Sequence, residues 1–173
     1  MAKQNKIIIT AAVTGATHTP SLSPYFPSTP DQIIEDAVKA HKAGAAVVHV
    51  HARDPKDCSP TPDLGIMKDI VTSIKQQCDA VICVTTGGAV WMSSEQRLAP
   101  AVELKPELAS CNAGSVNFVF ADLAAKIENP KFDWEIPYLQ RTNELVFTNT
   151  FTGLEYYLKT MNERGIRPEF EVY

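Results

Sequence analysis

Two histidines one residue apart, His49 and His51, stand in the segment HVHARDP. In an extended strand alternate side chains share a face, so the two imidazoles project together while Val48 and Val50 point the other way. Such a pair, with a carboxylate and an open position, suits zinc (Zn2+) or another divalent first-row metal acting as a Lewis acid. A hydrogen-bonded pair of core histidines is the alternative, and the pattern alone leaves both open. Thr85-Thr86-Gly87-Gly88 joins two hydroxyls to glycines whose amides either approach a carboxylate or phosphate or simply make a tight turn. Ser110 and Asn112 share a face with Cys111 opposite, which suits orienting a bound oxygen or capping a barrel mouth. Glu169 and Glu171 also share a face, apart from Phe170 and Val172, and carboxylates turned into an interior require a cation or donors. Glu171, nearer the carboxyl end, reads as a metal ligand or acid/base group, and Glu169 as a structural ion-pair partner. On an exposed edge strand both would merely be solvated.

Absences narrow the chemistry further. No strand end offers the lysine of a Schiff-base enzyme, and neither a Gly-x-Ser-x-Gly elbow nor a catalytic-cysteine setting occurs. Metal-assisted chemistry on a small, oxygen-rich substrate remains. The net charge of -4, from 16 Lys+Arg and 20 Asp+Glu with no basic run, gives no footprint for nucleic acid or an anionic membrane. The four cysteines, Cys58, Cys78, Cys83 and Cys111, make no CxxC pair or zinc-finger spacing and read as buried cytosolic thiols. At the N-terminus Lys3 and Lys6 precede an apolar run, but the run is short, β-branched and broken by Thr10, so it reads as a strand rather than a signal peptide. No window approaches the ~18 apolar residues of a membrane span. A cytoplasmic protein is expected.

The elements that position these residues follow from periodicity. Ile7 to Val13 reads as a strand buried on both faces, followed by a polar loop over 16–28. Thr29-Pro30-Asp31-Gln32 offers an N-cap, a first-turn proline and a capping-box glutamine for a helix closed by Gly44. Strands over Ala45 to His51, Ala80 to Thr85 and Leu108 to Asn112 alternate with helices carrying Met67, Ile70, Val71 and Ile74, and then a Ser93 to Gln96 capping box. An irregular insertion over about 115–150, with the segment FDWEIPYLQR, reads as one short helix. A Thr152/Glu155 capping box then opens a helix through Met161, and Glu169 to Tyr173 alternates as a fifth strand in which the chain stops. Five strands with intervening helices make an α/β domain with a parallel sheet, either doubly wound or part of a barrel. Thr14-Gly15-Ala16-Thr17 lacks the glycine fingerprint of a nucleotide-binding sheet. A complete eight-fold barrel needs about 250 residues, more than the 173 present. A single domain over 1–173 is therefore expected, and periodicity leaves a doubly wound sheet and a partial (β/α)8 TIM barrel both open.

Read together, ITAAVTGATHTP, the P-S-T-P-D helix start, AGAAVVHVHARDP, VTTGG, QRLAPAVELKPELASCNAGSVNF and RPEFEVY resemble the β-keto acid cleavage enzymes, the group that includes 3-keto-5-aminohexanoate cleavage enzyme. The resemblance runs along nearly the whole chain in order. It implies a zinc-dependent β/α barrel, assembled as a homotetramer, that takes a β-keto acid and acetyl-CoA and yields acetoacetate and a new CoA thioester. His49 and His51 then match the zinc-binding histidines, Thr85, Gly88 and Ser110 match positions that hold substrate, and Asn112 and Glu171 match further active-site positions. Where the founding enzyme has a glutamate for the substrate amino group, this chain has Thr17-His18. That departure points to a neutral, longer or anionic β-keto acid, with His18 either a contact or a loop residue. The family's late glutamate ligand, and the aspartate and arginine that act on acetyl-CoA, have no counterpart before Tyr173. The expectation is the N-terminal five-eighths of such an enzyme, with little activity alone. Two other readings stay open: a non-catalytic metal-binding or assembly module pairing through its fifth strand, and a His-His-Glu site completed by Glu171.

Overall fold

The computed structural model describes residues 6–88 and 91–173, so Lys3 lies outside the described residues. Five strands form: β1 (Thr10–Ala12), β2 (Val47–Val50), β3 (Val81–Val84), β4 (Leu108–Asn112) and β5 (Arg167–Glu171). Helices α1 (Pro30–Lys42), α2 (Leu64–Gln77) and α3 (Ser94–Leu104) fill the first three crossovers. The fourth carries α4 (Ala121–Ala124), α5 (Glu135–Arg141), a 3-10 turn at Thr142–Glu144 and α6 (Phe151–Glu163). All neighbouring strands are parallel and their order is sequential, β1-β2-β3-β4-β5. Sequential order belongs to a barrel, whereas a doubly wound sheet reverses its order at a switch point. The sheet curls into a half-barrel until its outermost strands meet: the Thr10 hydroxyl on β1 donates to Glu169 Oε1 on β5 at 3.1 Å.

Strand alternation gives this sheet two unlike faces. The convex face turns Val48, Val50, Ile82 and Val84 toward Ile33, Ala37, Met67, Ile70 and Ile74 of α1 and α2, forming the main core. A second cluster joins Ala109 of β4 to Leu98 and Ala101 of α3 and Tyr157 and Met161 of α6. The concave face carries His49, Cys83, Ser110, Asn112, Glu169 and Glu171, a polar set where a closed barrel usually packs Val, Ile and Leu. The capping boxes at Thr29 and Ser93 both form, with the side-chain oxygen taking the N3 amide and the glutamine returning to the N-cap.

Several expected boundaries shift. β1 contains only Thr10–Ala12, and Ile7, Ile8 and Ile9 are 86%, 73% and 57% exposed rather than buried on both faces, because an edge strand has a single sheet neighbour. The 115–150 insertion holds two short helices and a 3-10 turn instead of one helix, around a small core of Ala124, Ile127 and Leu139 that also takes in Leu22 of the first loop. Helix α6 starts one residue after Thr150, whose hydroxyl accepts the Gly153 N–H at 3.2 Å, so the Thr152/Glu155 box is replaced by an earlier cap. β5 begins at Arg167 and ends at Glu171, two residues upstream of the expected span. Pro168 is tolerated there because an edge strand uses only one side of its ladder.

Candidate active site

The carboxyl end of β2 brings the two histidines together as the alternation requires. His49 is buried, and its Nε2 lies 3.1 Å from His51 Nε2. Burial lowers the His49 pKa and prevails over the opposing pull of Glu171 and Glu169. Burial also takes His51 well below the usual histidine value, with repulsion from His49 and Arg53 adding to it. Both rings are thus neutral at physiological pH and keep a lone pair available. Two imidazole nitrogens bound tetrahedrally to one zinc at about 2.0–2.1 Å sit roughly 3.3 Å apart. The observed 3.1 Å separation is close to that, so the spacing of the pair fits a bound metal.

Other donors collect around His49 from behind. Its Nδ1 lies 3.4 Å from Cys83 Sγ, its register partner on β3. Among the described residues His49, Cys83 and Glu169 offer ligand atoms all within 4.8 Å of one another. Burial first, and then the Glu169 hydrogen bond, push the Cys83 thiol far up and keep it protonated. Glu171 does not enter that group; it accepts a hydrogen bond from Asn112 Nδ2 and another from Tyr173 Oη at 3.4 Å. A site closed by His49, His51 and Glu171 is therefore not assembled in this conformation.

A cavity of about 300 Å³ opens over these residues. Its floor is made by strand ends: His51, Thr85, Gly87, Gly88, Asn112 and Glu171. The Thr85 hydroxyl accepts the Gly87 N–H at 2.8 Å, which leaves its own proton to donate elsewhere. Gly88 has φ +50°, and a Cβ there would fall 2.7 Å from Met92 Sδ and 3.2 Å from Arg97 Cγ, so the position requires glycine. Ser110 is placed differently: fully buried, its Oγ accepts the Thr86 N–H at 3.0 Å and its carbonyl accepts the Thr86 hydroxyl at 2.8 Å. It supports the Thr85-Thr86 turn from beneath and is absent from the cavity lining. Thr17 lines the cavity, whereas His18 stacks on Phe26 with ring centroids 5.8 Å apart, as a loop residue would.

The cavity wall comes from the insertion. Phe118, Phe120, Tyr138 and Phe147 line it beside Tyr173, and Phe118 meets Tyr173 edge-on at 4.9 Å. The alternation Phe118-Val119-Phe120 was the local signal for these wall residues, since Val119 between them faces solvent. Two buried arginines brace the rim. Arg53 donates to the carbonyls of Gly15, His18 and Cys58 and lies over the Phe26 ring, and burial lowers its pKa to about 10. Arg97 donates to Thr86 O, Thr148 O and Asn149 Oδ1 and lies 4.3 Å over the Phe147 ring. Tyr138 Oη also donates to Ala16 O at 2.9 Å, so the first loop and the insertion close over the strand ends together.

Comparison with known proteins agrees with this layout. The chain is 48% identical over 173 residues to the 3,5-dioxohexanoate:acetyl-CoA acetone transferase of Paraburkholderia graminis, covering 100% of this chain and 56% of that protein. It is 37% identical over 169 residues to the 3-keto-5-aminohexanoate cleavage enzyme of Acetoanaerobium sticklandii, covering 97% of this chain and 53% of the relative. The chain thus spans about half the length of the curated relatives it matches. A solved ternary complex of ObcA with a C4-CoA adduct and oxalate shares the fold at a TM-score of 0.63 and 23% identity, covering 87% of this chain and 32% of that one. No helix among the described residues is long and apolar enough to cross a membrane. The β-keto acid cleavage enzyme pattern matches residues 6–173, and the chain belongs to that family.

Proposed function

We propose that this chain carries the metal- and β-keto-acid-binding half of a cytoplasmic, homo-oligomeric transferase. The reaction joins a β-keto acid and acetyl-CoA and releases acetoacetate and the CoA thioester of the remaining acyl group. The carrying observation is the histidine pair, 3.1 Å apart, beneath a cavity floored by hydroxyl, glycine, amide and carboxylate groups. Bound zinc would supply Lewis-acid polarisation of the keto group and a charge for the carboxylate, easing C–C bond formation and cleavage. Thr85 donates its free hydroxyl proton to substrate oxygen, and Gly88 allows close approach of the substrate to the backbone. Ser110 acts through Thr86, and Asn112 orients Glu171 for proton transfer at the substrate carbon. Thr17, standing in the cavity lining where a carboxylate would hold an ammonium group, favours an acyl tail without one. The Paraburkholderia relative, named for 3,5-dioxohexanoate, supports a substrate of that class.

Metal analysis and a coupled CoA assay test this reading. One equivalent of zinc is expected on the wild-type chain, and loss of most of it from His49→Ala and from His51→Ala. Turnover of 3,5-dioxohexanoate with acetyl-CoA by the chain alone is expected far below the roughly 10 per second of a median enzyme. Unchanged zinc in the double His49→Ala/His51→Ala variant would overturn the metal assignment. An ordinary rate from the chain alone would overturn its assignment as half of a site.

A further inference from the structure

The layer beneath the histidine pair is polar in a place where barrels are apolar. Interior side chains of a barrel stack in layers drawn from alternate strands, and branched aliphatic residues dominate them. Here β1, β3 and β5 contribute Thr10, Cys83 and Glu169: a hydroxyl, a thiol and a carboxylate. Of the three only Cys83 is buried, Glu169 is half-buried and Thr10 exposed, and their polar groups follow one another as a chain across the concave face toward His49. The Thr10 hydroxyl donates to Glu169 Oε1 at 3.1 Å, a Glu169 carboxylate oxygen lies within 4.8 Å of Cys83 Sγ, and Cys83 Sγ lies 3.4 Å from His49 Nδ1. The chain ends on the one ring nitrogen of His49 that does not face His51.

Direction along the chain follows from donor inventory. A carboxylate only accepts, so the nearby Glu169 favours the thiol rotamer whose S–H turns toward it and whose sulfur lone pairs turn toward His49. The sulfur can then accept only from a protonated Nδ1. That leaves Nε2, the nitrogen facing His51, unprotonated and free to bind a cation. We propose that Cys83 and Glu169 are positioning residues that fix His49 in the Nδ1–H tautomer and hold its ring, with Thr10 orienting the Glu169 carboxylate. The proposal rests on the histidine pair being the metal site. It gives Glu169 a role other than the ion pair expected from sequence, since no salt bridge involves it among the described residues. Outer partners of metal-binding histidines of this kind typically change metal affinity by about 10–100-fold.

Two readouts on the intact chain test it: zinc affinity by chelator competition, and the His49 tautomer by nitrogen NMR of the metal-free protein. Cys83→Ala and Glu169→Gln are expected to weaken zinc binding about 10–100-fold with unchanged circular dichroism. Both should also shift His49 from a single Nδ1–H form to a tautomer mixture. Cys83→Ser, which keeps a donor and an acceptor at the same place, is expected to restore most of both. Wild-type tautomer and affinity in Cys83→Ala and Glu169→Gln would overturn the proposal. So would a thiolate-to-metal charge-transfer band on cobalt substitution, because Cys83 would then be a ligand and not a partner of one. If the wild-type chain binds no metal, the parent reading falls, and the tautomer measurement on the metal-free chain still decides the relay.

Discussion

At the scale of single residues, the functional side chains divide by whether their placement is local. His49 and His51 were readable because alternation along one strand decides their face, and no distant contact can change it without breaking β2. The setting of Ser110 was not readable for the opposite reason: its hydroxyl is taken by the backbone of Thr86 in the turn after β3, an interaction that spacing does not encode. Cys83 read as an ordinary buried thiol, and only the β2–β3 register puts it behind His49. Glu135 is another tertiary case. Burial would raise its pKa, but the Ser21 N–H and O–H and the Phe132 N–H outweigh that and hold the carboxyl below its ordinary 4.5. As pH falls the unfolded chain takes up this proton first, so the stabilisation is complete above the unfolded value and is lost as pH drops toward the folded one. Glu135→Gln is expected to cost about 1.5–3 kcal/mol at neutral pH. It should also flatten the loss of stability between about pH 5 and pH 3, as read by urea denaturation across that range.

Elements were legible where their ends are self-contained. The Thr29 and Ser93 capping boxes satisfy helix N-termini from within four residues, and both form as spaced. At α6 two threonines compete for the same role, and the pattern T-x-x-E favoured Thr152. The structure chooses Thr150, whose hydroxyl takes the Gly153 amide, and puts Thr152 inside the first turn. Thr150→Ala is therefore expected to destabilise the chain by about 1 kcal/mol. Thr152→Ala should stay within about 0.5 kcal/mol, and paired denaturant melts of the two variants separate the alternatives. The insertion helices were harder to read because little in them is self-sufficient. Helix α5 spans only Glu135–Arg141 and has no side-chain N-cap. It is held by Tyr138 to Ala16 and by Glu135 to Ser21, contacts that cross more than a hundred residues, and by Leu139 in the small core with Ala124, Ile127 and Leu22.

For the whole molecule, the five-stranded order leaves β1 and β5 each with one sheet neighbour, and apolar side chains gather at both edges. Ile7, Ile8 and Ile9 flank β1, and Phe170, Val172 and Tyr173 lie on or beside β5, all exposed. Unpaired edges of this kind template association between copies. Light scattering is expected to show concentration-dependent self-association of the chain, reduced by the double Ile8→Lys/Val172→Lys variant; a monomer at all concentrations would contradict it. Length excluded a complete barrel and periodicity left a doubly wound sheet open, so the barrel rested on the family resemblance, while the curl that joins Thr10 to Glu169 is a property of the assembled sheet. Sequential strand order has one more consequence, in time instead of space. The buried members of the main core run from Ile33 to Val84, and from further downstream only Leu104 of α3 packs against them among the described residues. Chains emerge from the ribosome N-terminus first at about 5–20 residues per second. The β1–β3 unit, with its histidine pair, can therefore set while the insertion and β5 are still being synthesised.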